Sequence, residues 1–223
     1  MEKTAFVDKK VAEFYNSNFV CLEVNTRKGE GIETNKKFNI QLHPTFLFLD
    51  SNGNELQKIV GVFSPEEFLM QAYRALDPTN SFSHYKQLYN EGNRSADFLF
   101  DYCYKLRDAN ELDSLVINEY LNTQPTSELS NEKNIKFIYE FVIHRSRVCI
   151  SFNSRAYLCM LNNKDQFANY FDLEQVNTRL MFVVQSAVYN AIERKDATEF
   201  LNAIGALKEY DLGKEYYFKE MDS

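Results

Sequence analysis

The sequence predicts an α/β domain followed by an all-helical domain. Residues 36–61 contain two strand-like runs joined by an Asp-Ser-Asn-Gly turn, which is a strong hairpin signal. Short apolar stripes with helical spacing flank this hairpin. After Pro78 only one further proline, Pro125, occurs, and the apolar spacing is helical throughout. We therefore predict an α/β domain at residues 1–76 and a helical domain at residues 77–223.

The hairpin carries the clearest local signals. Residues 45–49 are an apolar run that predicts one strand, and residues 55–62 predict the returning strand. Residues 50–53 end in an Asn-Gly pair, which is typical of the turn between such strands. Pro44 opens the first strand, where a missing backbone donor is tolerated. A cis peptide bond at that position would be a specific feature of the fold.

Two helices and one strand are predicted before the hairpin. Asp8 is a preferred N-cap residue for the first helix. Residues 19–24 form a nearly continuous apolar run, which predicts a strand covered on both faces. Residues 32–38 predict a second, short helix. The apolar face of the first helix consists of Val11, Phe14 and Tyr15.

A helix with three start signals follows the hairpin. Ser64 predicts the N-cap, Pro65 occupies the first helical position, and Glu67 completes a capping box. The Asp77-Pro78 pair predicts its end. The side chains expected to point inward are Phe68, Leu69, Ala72, Tyr73 and Leu76.

The second domain is predicted to be helical to its end. Its stripes lack a fixed period, so an irregular bundle is favoured over an array of α-hairpins, which stays the alternative. The basic cluster of His144, Arg145 and Arg147 is interpreted as a solvated helix end in preference to an anion site. The stripes begin near His84 and Leu88 and continue at Phe98–Leu106, Leu112–Leu121, Ile135–Val142, Ala156–Leu161, Phe167–Phe171, Val176–Ala191, Phe200–Leu207 and Tyr216–Phe218.

Composition limits the functions to consider. The net charge of −7 disfavours nucleic acid or an anionic membrane as partner, and no apolar run reaches the length of a membrane span. The four cysteines show neither C-x-x-C nor zinc spacing, so no metal and no cofactor is predicted. Each cysteine lies in an apolar run and is interpreted as a buried core residue rather than a disulfide partner: Cys21, Cys103, Cys149 and Cys159.

The order helix, strand, helix, strand, strand, helix resembles the thioredoxin fold from just after its active-site dithiol onward. The resemblance covers about residues 1–76 and rests on the run at residues 20–24, the His43-Pro44-Thr45 loop, the Asn52-Gly53 turn, the Val60-Gly61 strand end and the capped last helix. The MEKTAF opening, the Lys-Gly-Glu-Gly loop and the F-L-F-L-D-S-N-G run are most similar to bacterial thioredoxin-like, disulfide-isomerase-like envelope proteins.

The resemblance implies a thiol–disulfide oxidoreductase or isomerase acting on a protein or peptide substrate. It assigns His43, Pro44 and Thr45 to the loop that holds the substrate backbone by strand addition. A histidine before the proline could also tune the thiolate pKa. From the residues alone, Pro44 is equally interpretable as a strand-opening proline and His43 as an exposed loop residue.

This sequence departs from the family because the first strands and the C-x-x-C motif are missing. One explanation is that the dithiol and a signal peptide lie upstream of Met1, which would place the protein in the periplasm or cell envelope. The other is a redox-inactive remnant, an interaction module that would stay in the cytoplasm. Catalytic residues are therefore predicted nowhere in residues 1–223, and enzyme activity depends on an upstream dithiol.

The missing strand would be central in the family fold, between residues 20–24 and 45–49. Without it, two apolar strand edges would carry unpaired backbone groups, which natural proteins avoid. We expect this chain to repair the gap in one of two ways. Either the two strands pair directly, or a second copy fills the gap in a homodimer.

Overall fold

The structure, a computed structural model, describes residues 5–145 and 147–209 and comprises two compact units that divide between Leu112 and Asp113. The predicted stripe at Tyr216–Phe218 lies outside the described residues. Within the described ranges, no helix is long and apolar enough to cross a membrane. The first unit extends past residue 76, where sequence reasoning placed the domain boundary, and that boundary stays a prediction.

The described part of the first unit combines one β-hairpin with five α-helices. A short 3-10 turn, Ala5–Val7, precedes them. The two strands form an antiparallel sheet in which Phe46 lies opposite Ile59, with an irregularity at Phe48 and Leu49. The elements are α1 (Lys9–Asn18), α2 (Gly31–Lys37), β1 (Thr45–Leu49), β2 (Glu55–Val60), α3 (Pro65–Leu76), α4 (Phe82–Asn90) and α5 (Ala96–Asp108).

Local signals positioned these elements correctly. Asp8 caps α1 by accepting a hydrogen bond from the Val11 backbone N–H at 3.1 Å. The predicted capping box is present at α3, where Ser64 and Glu67 exchange hydrogen bonds of 3.2 and 2.8 Å. These bonds satisfy backbone donors that a helix start leaves unpaired. The Glu67 carboxylate accepts the bond from the Ser64 backbone N–H in its charged form, so the pKa of Glu67 is lowered.

The hairpin turn is stabilised by Asp50. Its carboxylate accepts hydrogen bonds from the backbone N–H groups of Asn52 and Asn54, each at 2.8 Å, and from the Asn54 side chain. These bonds, the Asn54 side chain first, lower the pKa of Asp50. Gly53 has φ of +75°, a conformation that glycine adopts without steric cost. The predicted turn at residues 50–53 is confirmed.

A compact aromatic core lies between the hairpin, α1 and α3. Phe48, Ile59 and Phe68 are at most 5% exposed. Tyr15 stacks on Phe68 with ring centroids 4.6 Å apart, and its hydroxyl donates to the Phe68 carbonyl at 2.9 Å. Burial of each large apolar side chain contributes roughly 1.5–3 kcal/mol, so this cluster holds the hairpin against both helices.

The inward face of α3 differs from the predicted stripe. Phe68 and Ala72 are buried as expected, but Tyr73 and Leu76 are 53% and 46% exposed. Gln71 is buried instead, together with Ala75. The face is rotated because Gln71 accepts a hydrogen bond from a buried side chain of β2, Gln57, at 2.9 Å.

The prediction of a strand at residues 19–24 is wrong. This segment contains neither helix nor strand nor turn, and within the described residues the hairpin pairs only with itself. Val20 and Leu22 are 89% and 82% exposed, instead of covered on both faces. Cys21 is likewise exposed, so its assignment to the core is also wrong. Direct pairing with residues 45–49 does not occur.

In its described residues, the second unit is helical apart from one small hairpin. Its helices begin and end close to the predicted stripes. The elements are α6 (Ser114–Thr123), a 3-10 turn (Thr126–Glu128), α7 (Glu132–Val142), β3 (Ile143–His144), β4 (Arg147–Val148), α8 (Arg155–Asn162), α9 (Lys164–Ala168), α10 (Leu173–Arg194) and α11 (Ala197–Glu209).

The small hairpin corrects the expectation that the basic cluster lies at a helix end. Helix α7 ends at Val142, so the basic cluster lies on β3 and β4 and at their turn rather than at a helix end. Arg145 has φ of +47° there, an unusual conformation for a residue with a Cβ atom. A two-residue connection between antiparallel strands requires positive φ. The requirement comes from the pairing of β3 with β4, because without that pairing the helix could have continued.

Three of the four cysteines occupy the interior as predicted, to different degrees. Cys103 and Cys149 are buried, Cys159 is half-buried, and all four cysteines are free thiols. Burial raises the pKa of both Cys149 and Cys159. A raised pKa leaves less thiolate at neutral pH, so these two thiols are poor nucleophiles.

Candidate functional site

The loop of residues 43–45 lies at the start of β1, on the surface of the first unit. The His43–Pro44 peptide bond is cis, as the sequence led us to consider. His43 and Pro44 are exposed, and Thr45 is half-buried. The three predicted site residues therefore form one accessible surface, while their role in binding stays a prediction.

Three hydrogen bonds fix this loop. The Pro44 carbonyl accepts from the Gly61 backbone N–H at 3.0 Å, which extends the hairpin by one pair. The Thr45 hydroxyl donates to the Leu42 carbonyl at 2.6 Å. His43 Nε2 lies 2.7 Å from the Thr26 hydroxyl. The loop is thus anchored on β2 on one side and on the segment after residue 24 on the other.

Thr26 is the site residue that sequence reasoning missed. It lies in a polar loop, 17 positions before His43, and has no motif around it. The hydrogen bond uses Nε2 of His43, so Nδ1, the other ring nitrogen, takes no part in this contact. No local sequence signal could have identified the pair, because only the fold brings the two loops together.

The backbone next to the loop presents a free strand edge. Because the Pro44 carbonyl points to β2, alternation along the strand directs the backbone groups of Thr45 and Leu47 to the other edge. Within the described residues, no strand pairs with that edge. An extended peptide could therefore add to β1 beside the exposed loop.

Residues 19–26 run past the same edge of β1 in the opposite direction. The Phe19 ring lies 5.4 Å from the Phe48 ring, centroid to centroid, and Thr26 contacts His43. Residue numbers rise along one segment as they fall along the other, so the two segments are antiparallel. No backbone hydrogen bond joins them in the described part of the chain.

Cys21 lies on this segment close to Tyr15. Burial is the main cause that raises the pKa of Tyr15, and the nearby Cys21 thiol adds to it. Cys21 has no sequence neighbour that would complete a C-x-x-C pair. The described residues also hold no group of three or more His, Cys, Asp and Glu side chains suited to a metal ion. The described part of the site therefore contains no dithiol.

The comparisons with known proteins agree with this geometry for the first third of the chain. A family model described as a thioredoxin-like domain matches residues 1–73, which span the hairpin, the loop of residues 43–45 and most of α3. The searches of curated proteins and of solved structures found no match. The chain thus has a thioredoxin-like domain at its N-terminus and a helical region after it.

Proposed function

We propose that this protein takes part in thiol–disulfide exchange and that residues 43–45 bind the backbone of a protein or peptide substrate. The observation that carries the proposal is the thioredoxin-like match over residues 1–73, which includes the exposed loop. The catalytic dithiol is assigned to a part of the protein outside residues 1–223. Redox chemistry therefore depends on that part, and substrate positioning depends on this one.

The free edge of β1 supports the binding role. Thr45 and Leu47 direct backbone donors and acceptors away from β2, beside the anchored loop. A substrate strand held there gains backbone hydrogen bonds that do not depend on its sequence. Binding of this kind suits an enzyme that acts on many unfolded or misbridged chains.

The chemistry proposed is a balanced exchange. A thiolate attacks one sulfur of the substrate disulfide and releases the other as a thiolate, forming a mixed disulfide. The second thiol of the dithiol then attacks the mixed disulfide. The substrate leaves reduced and the dithiol becomes a disulfide. The finer assignment, a bacterial disulfide-isomerase-like protein of the periplasm or envelope, belongs to the same proposal and requires an upstream signal peptide.

An insulin-reduction assay tests the proposal. The 223-residue chain is compared with a protein extended upstream to the next in-frame start, and with that extended protein after both motif cysteines are changed to serine. We expect activity in the extended protein alone. A folded extended protein without a C-x-x-C, or with activity equal to its serine variant, would contradict the redox assignment and favour the interaction module.

The loop is tested within the active extended protein. His43→Ala and Thr26→Ala should raise KM for a peptide disulfide more than they lower kcat, because they loosen substrate positioning. His84→Ala, which changes a histidine of α4 away from this loop, is the matched control. Equal effects of His43→Ala and His84→Ala would contradict a binding role for the loop.

A further inference from the structure

A groove of about 730 Å³ runs along the first half of α10 in the second unit. Tyr139 of α7, Ile143 of β3 and Arg145 of the following turn form one wall, and α10 with its N-cap forms the other. The α10 wall extends from Asp172 to Phe182, which is about 15 Å along the helix axis. None of the residues that line this groove has a role in the function proposed above.

Arg179 is held in a fixed orientation in this groove. Its Nη1 donates a hydrogen bond to the Ile143 carbonyl at 3.1 Å, and its guanidinium lies 4.2 Å from the centroid of the Tyr139 ring. Tyr139 is itself fixed, because its ring stacks on Phe171 at 3.6 Å between centroids and its hydroxyl donates to Gln175 Oε1 at 2.9 Å. The guanidinium and the Phe171 ring therefore occupy opposite faces of Tyr139, in an ordered stack of three planar groups.

The guanidinium of Arg179 has donors left for a ligand. A guanidinium carries five N–H donors, and in the described part of the chain Arg179 makes one hydrogen bond and no ion pair. An ordered arginine with donors to spare matches the two oxygens of a carboxylate. A second cation, Arg145, lies at the same end of the groove, because β3 continues from Ile143 into the turn. This end is therefore suited to an acidic group.

The other end of the groove is acidic, because Asp172 and Glu174 line it at the start of α10. Asp172 caps the helix by accepting a hydrogen bond from the Gln175 backbone N–H at 3.1 Å. Glu174 is exposed and has no ion pair within the described residues. Asp172 and Arg179 are two helical turns apart, so the two ends are separated by about 10 Å along the axis. The carboxylates disfavour a ligand that is negative throughout, such as a polyphosphate.

We propose that this groove binds an extended segment of a partner protein that carries an acidic residue and, about three positions away, a basic residue. Three residues of extended chain span about 10 Å, which matches the distance between the two ends of the groove. The acidic side chain meets Arg179 and Arg145, and the basic side chain meets Asp172 and Glu174. Both charges of the segment are then paired, so the groove discriminates against segments that carry either charge alone.

A series of synthetic peptides tests the charge pattern against the 223-residue chain. All have both ends blocked and the frame Gly-Ile-X-Ser-Thr-Z-Gly. X and Z are Glu and Lys in the probe, Glu and Glu in the acidic control, and Lys and Lys in the basic control. We expect the probe to bind about tenfold more tightly than either control, because each control replaces an attraction with a repulsion. Titrations followed by amide NMR shifts measure each Kd, and the shifts should map to Ile143, Thr178 and Phe182 in the groove.

Variants of the groove separate specific binding from general charge attraction. Arg179→Gln should weaken binding of the probe about tenfold, because the charged donor fork is lost. Glu174→Gln, at an exposed position, should weaken it about threefold. Arg194→Gln is the matched control, because it lies in the same helix outside the groove, and it should leave the Kd unchanged. Circular dichroism checks that each variant retains its helices, and if Arg179→Gln does not, the peptide series and Glu174→Gln decide.

Several outcomes would overturn the proposal. One is a probe that does not bind, or that binds no more tightly than the controls. Tighter binding of the acidic or the basic control would indicate a simple anion or cation site instead. Equal Kd values for Arg179→Gln and Arg194→Gln, or shifts confined to residues outside the groove, would also contradict it. None of these outcomes bears on the insulin assay, because the two experiments read peptide binding and redox activity separately.

Discussion

The two strands of the hairpin have opposite environments. In β2, four consecutive residues from Gln57 to Val60 are buried, whereas in β1 only Phe48 is. Helices α4 and α5 both contact β2, whereas within the described residues no strand pairs with the outer edge of β1. The comparison shows that a two-stranded sheet can be completed by helices on one side and remain available for pairing on the other.

Polar side chains hold the covered side together. Lys58, 3% exposed, donates hydrogen bonds to the carbonyls of Phe38 and Asn39 at 3.0 and 3.3 Å. It also forms a 2.9 Å ion pair with Glu111, which pairs in turn with Lys86 at 2.8 Å. Burial acts to raise the pKa of Glu111, but bonds from Lys58 and Lys86 outweigh it and lower that pKa.

A second buried polar contact joins β2 to α3 and α4. Gln57 accepts a hydrogen bond from the Phe82 backbone N–H at 2.9 Å and donates one to Gln71 at 2.9 Å. A buried amide without partners would cost about 1–3 kcal/mol. The helices after residue 76 are thus part of the environment that makes β2 stable, which is why the first compact unit extends to Leu112.

The largest difference in the free energy of unfolding is expected between two variants that each lose one charge, one on each side of the hairpin. Glu111→Ala leaves the buried Lys58 ammonium without its anion, so we expect the free energy of unfolding to fall by about 3–5 kcal/mol. Glu23→Ala on the exposed segment should change it by less than about 0.5 kcal/mol. Urea denaturation in reducing buffer measures both. Similar losses would mean that the two sides are equally important for stability.

The pH dependence of stability sharpens the comparison on the helical side. Burial lowers the pKa of Lys105 in α5 from 10.5 to about 8, with the nearby Arg74 contributing. Between pH 8 and 10.5 the unfolded state therefore binds more protons than the folded state, and Lys105 contributes stability that increases as pH rises through this window.

Lys105→Met is the variant that isolates this contribution. Across the same window, the free energy of unfolding of this variant should rise by about 1–3 kcal/mol less than that of the unaltered chain. The Lys105 ammonium donates hydrogen bonds to the backbone and side-chain oxygens of Asn80 at 2.6 and 2.8 Å. Because Lys105→Met also removes these bonds, they limit the stability that the variant gains at lower pH by losing a buried charge. Urea denaturation at pH 7.5 and 10 measures the difference. Parallel pH profiles for the two proteins would contradict the prediction.

The smallest effect on stability is expected from the contact between Thr26 and His43. Thr26→Ala removes the hydrogen bond to His43, which is exposed, so the global free energy of unfolding should fall by about 0.5–1 kcal/mol. The backbone NMR order parameters of residues 20–26 should nevertheless fall relative to those of β2, because Thr26 anchors one end of the segment. Ser17→Ala, which removes an exposed helix hydrogen bond, is the control and should leave that region unchanged.

Local chemistry made part of the fold predictable. Asp8, Ser64 and Glu67 act within three residues of the helix starts that they cap, so short-range sequence predicts them. The Asp50 turn depends on bonds to Asn52 and Asn54, also close in sequence. Most boundaries of the first unit follow from signals of this kind. The three-residue loop of the candidate site was predicted through family resemblance.

Long-range contacts decided what sequence reasoning got wrong. The apolar run at residues 19–24 has strand composition, but a strand requires a partner, and within the described residues none pairs with it. Lys58 in β2 looks like a surface residue in sequence and is buried because Glu111 lies against it. Thr26 gains its role from His43 in the same way. In each case the partner lies far away in the sequence.

The sequence alone determined where most helices and the first hairpin lie, because caps, turns and apolar spacing act over a few residues. It also carried the resemblance to the thioredoxin-like domain whose family model matches residues 1–73. Only the tertiary structure decided which strand edge is covered and which is exposed. That distinction depends on pairing and burial between distant residues, and those interactions form only when the chain has folded.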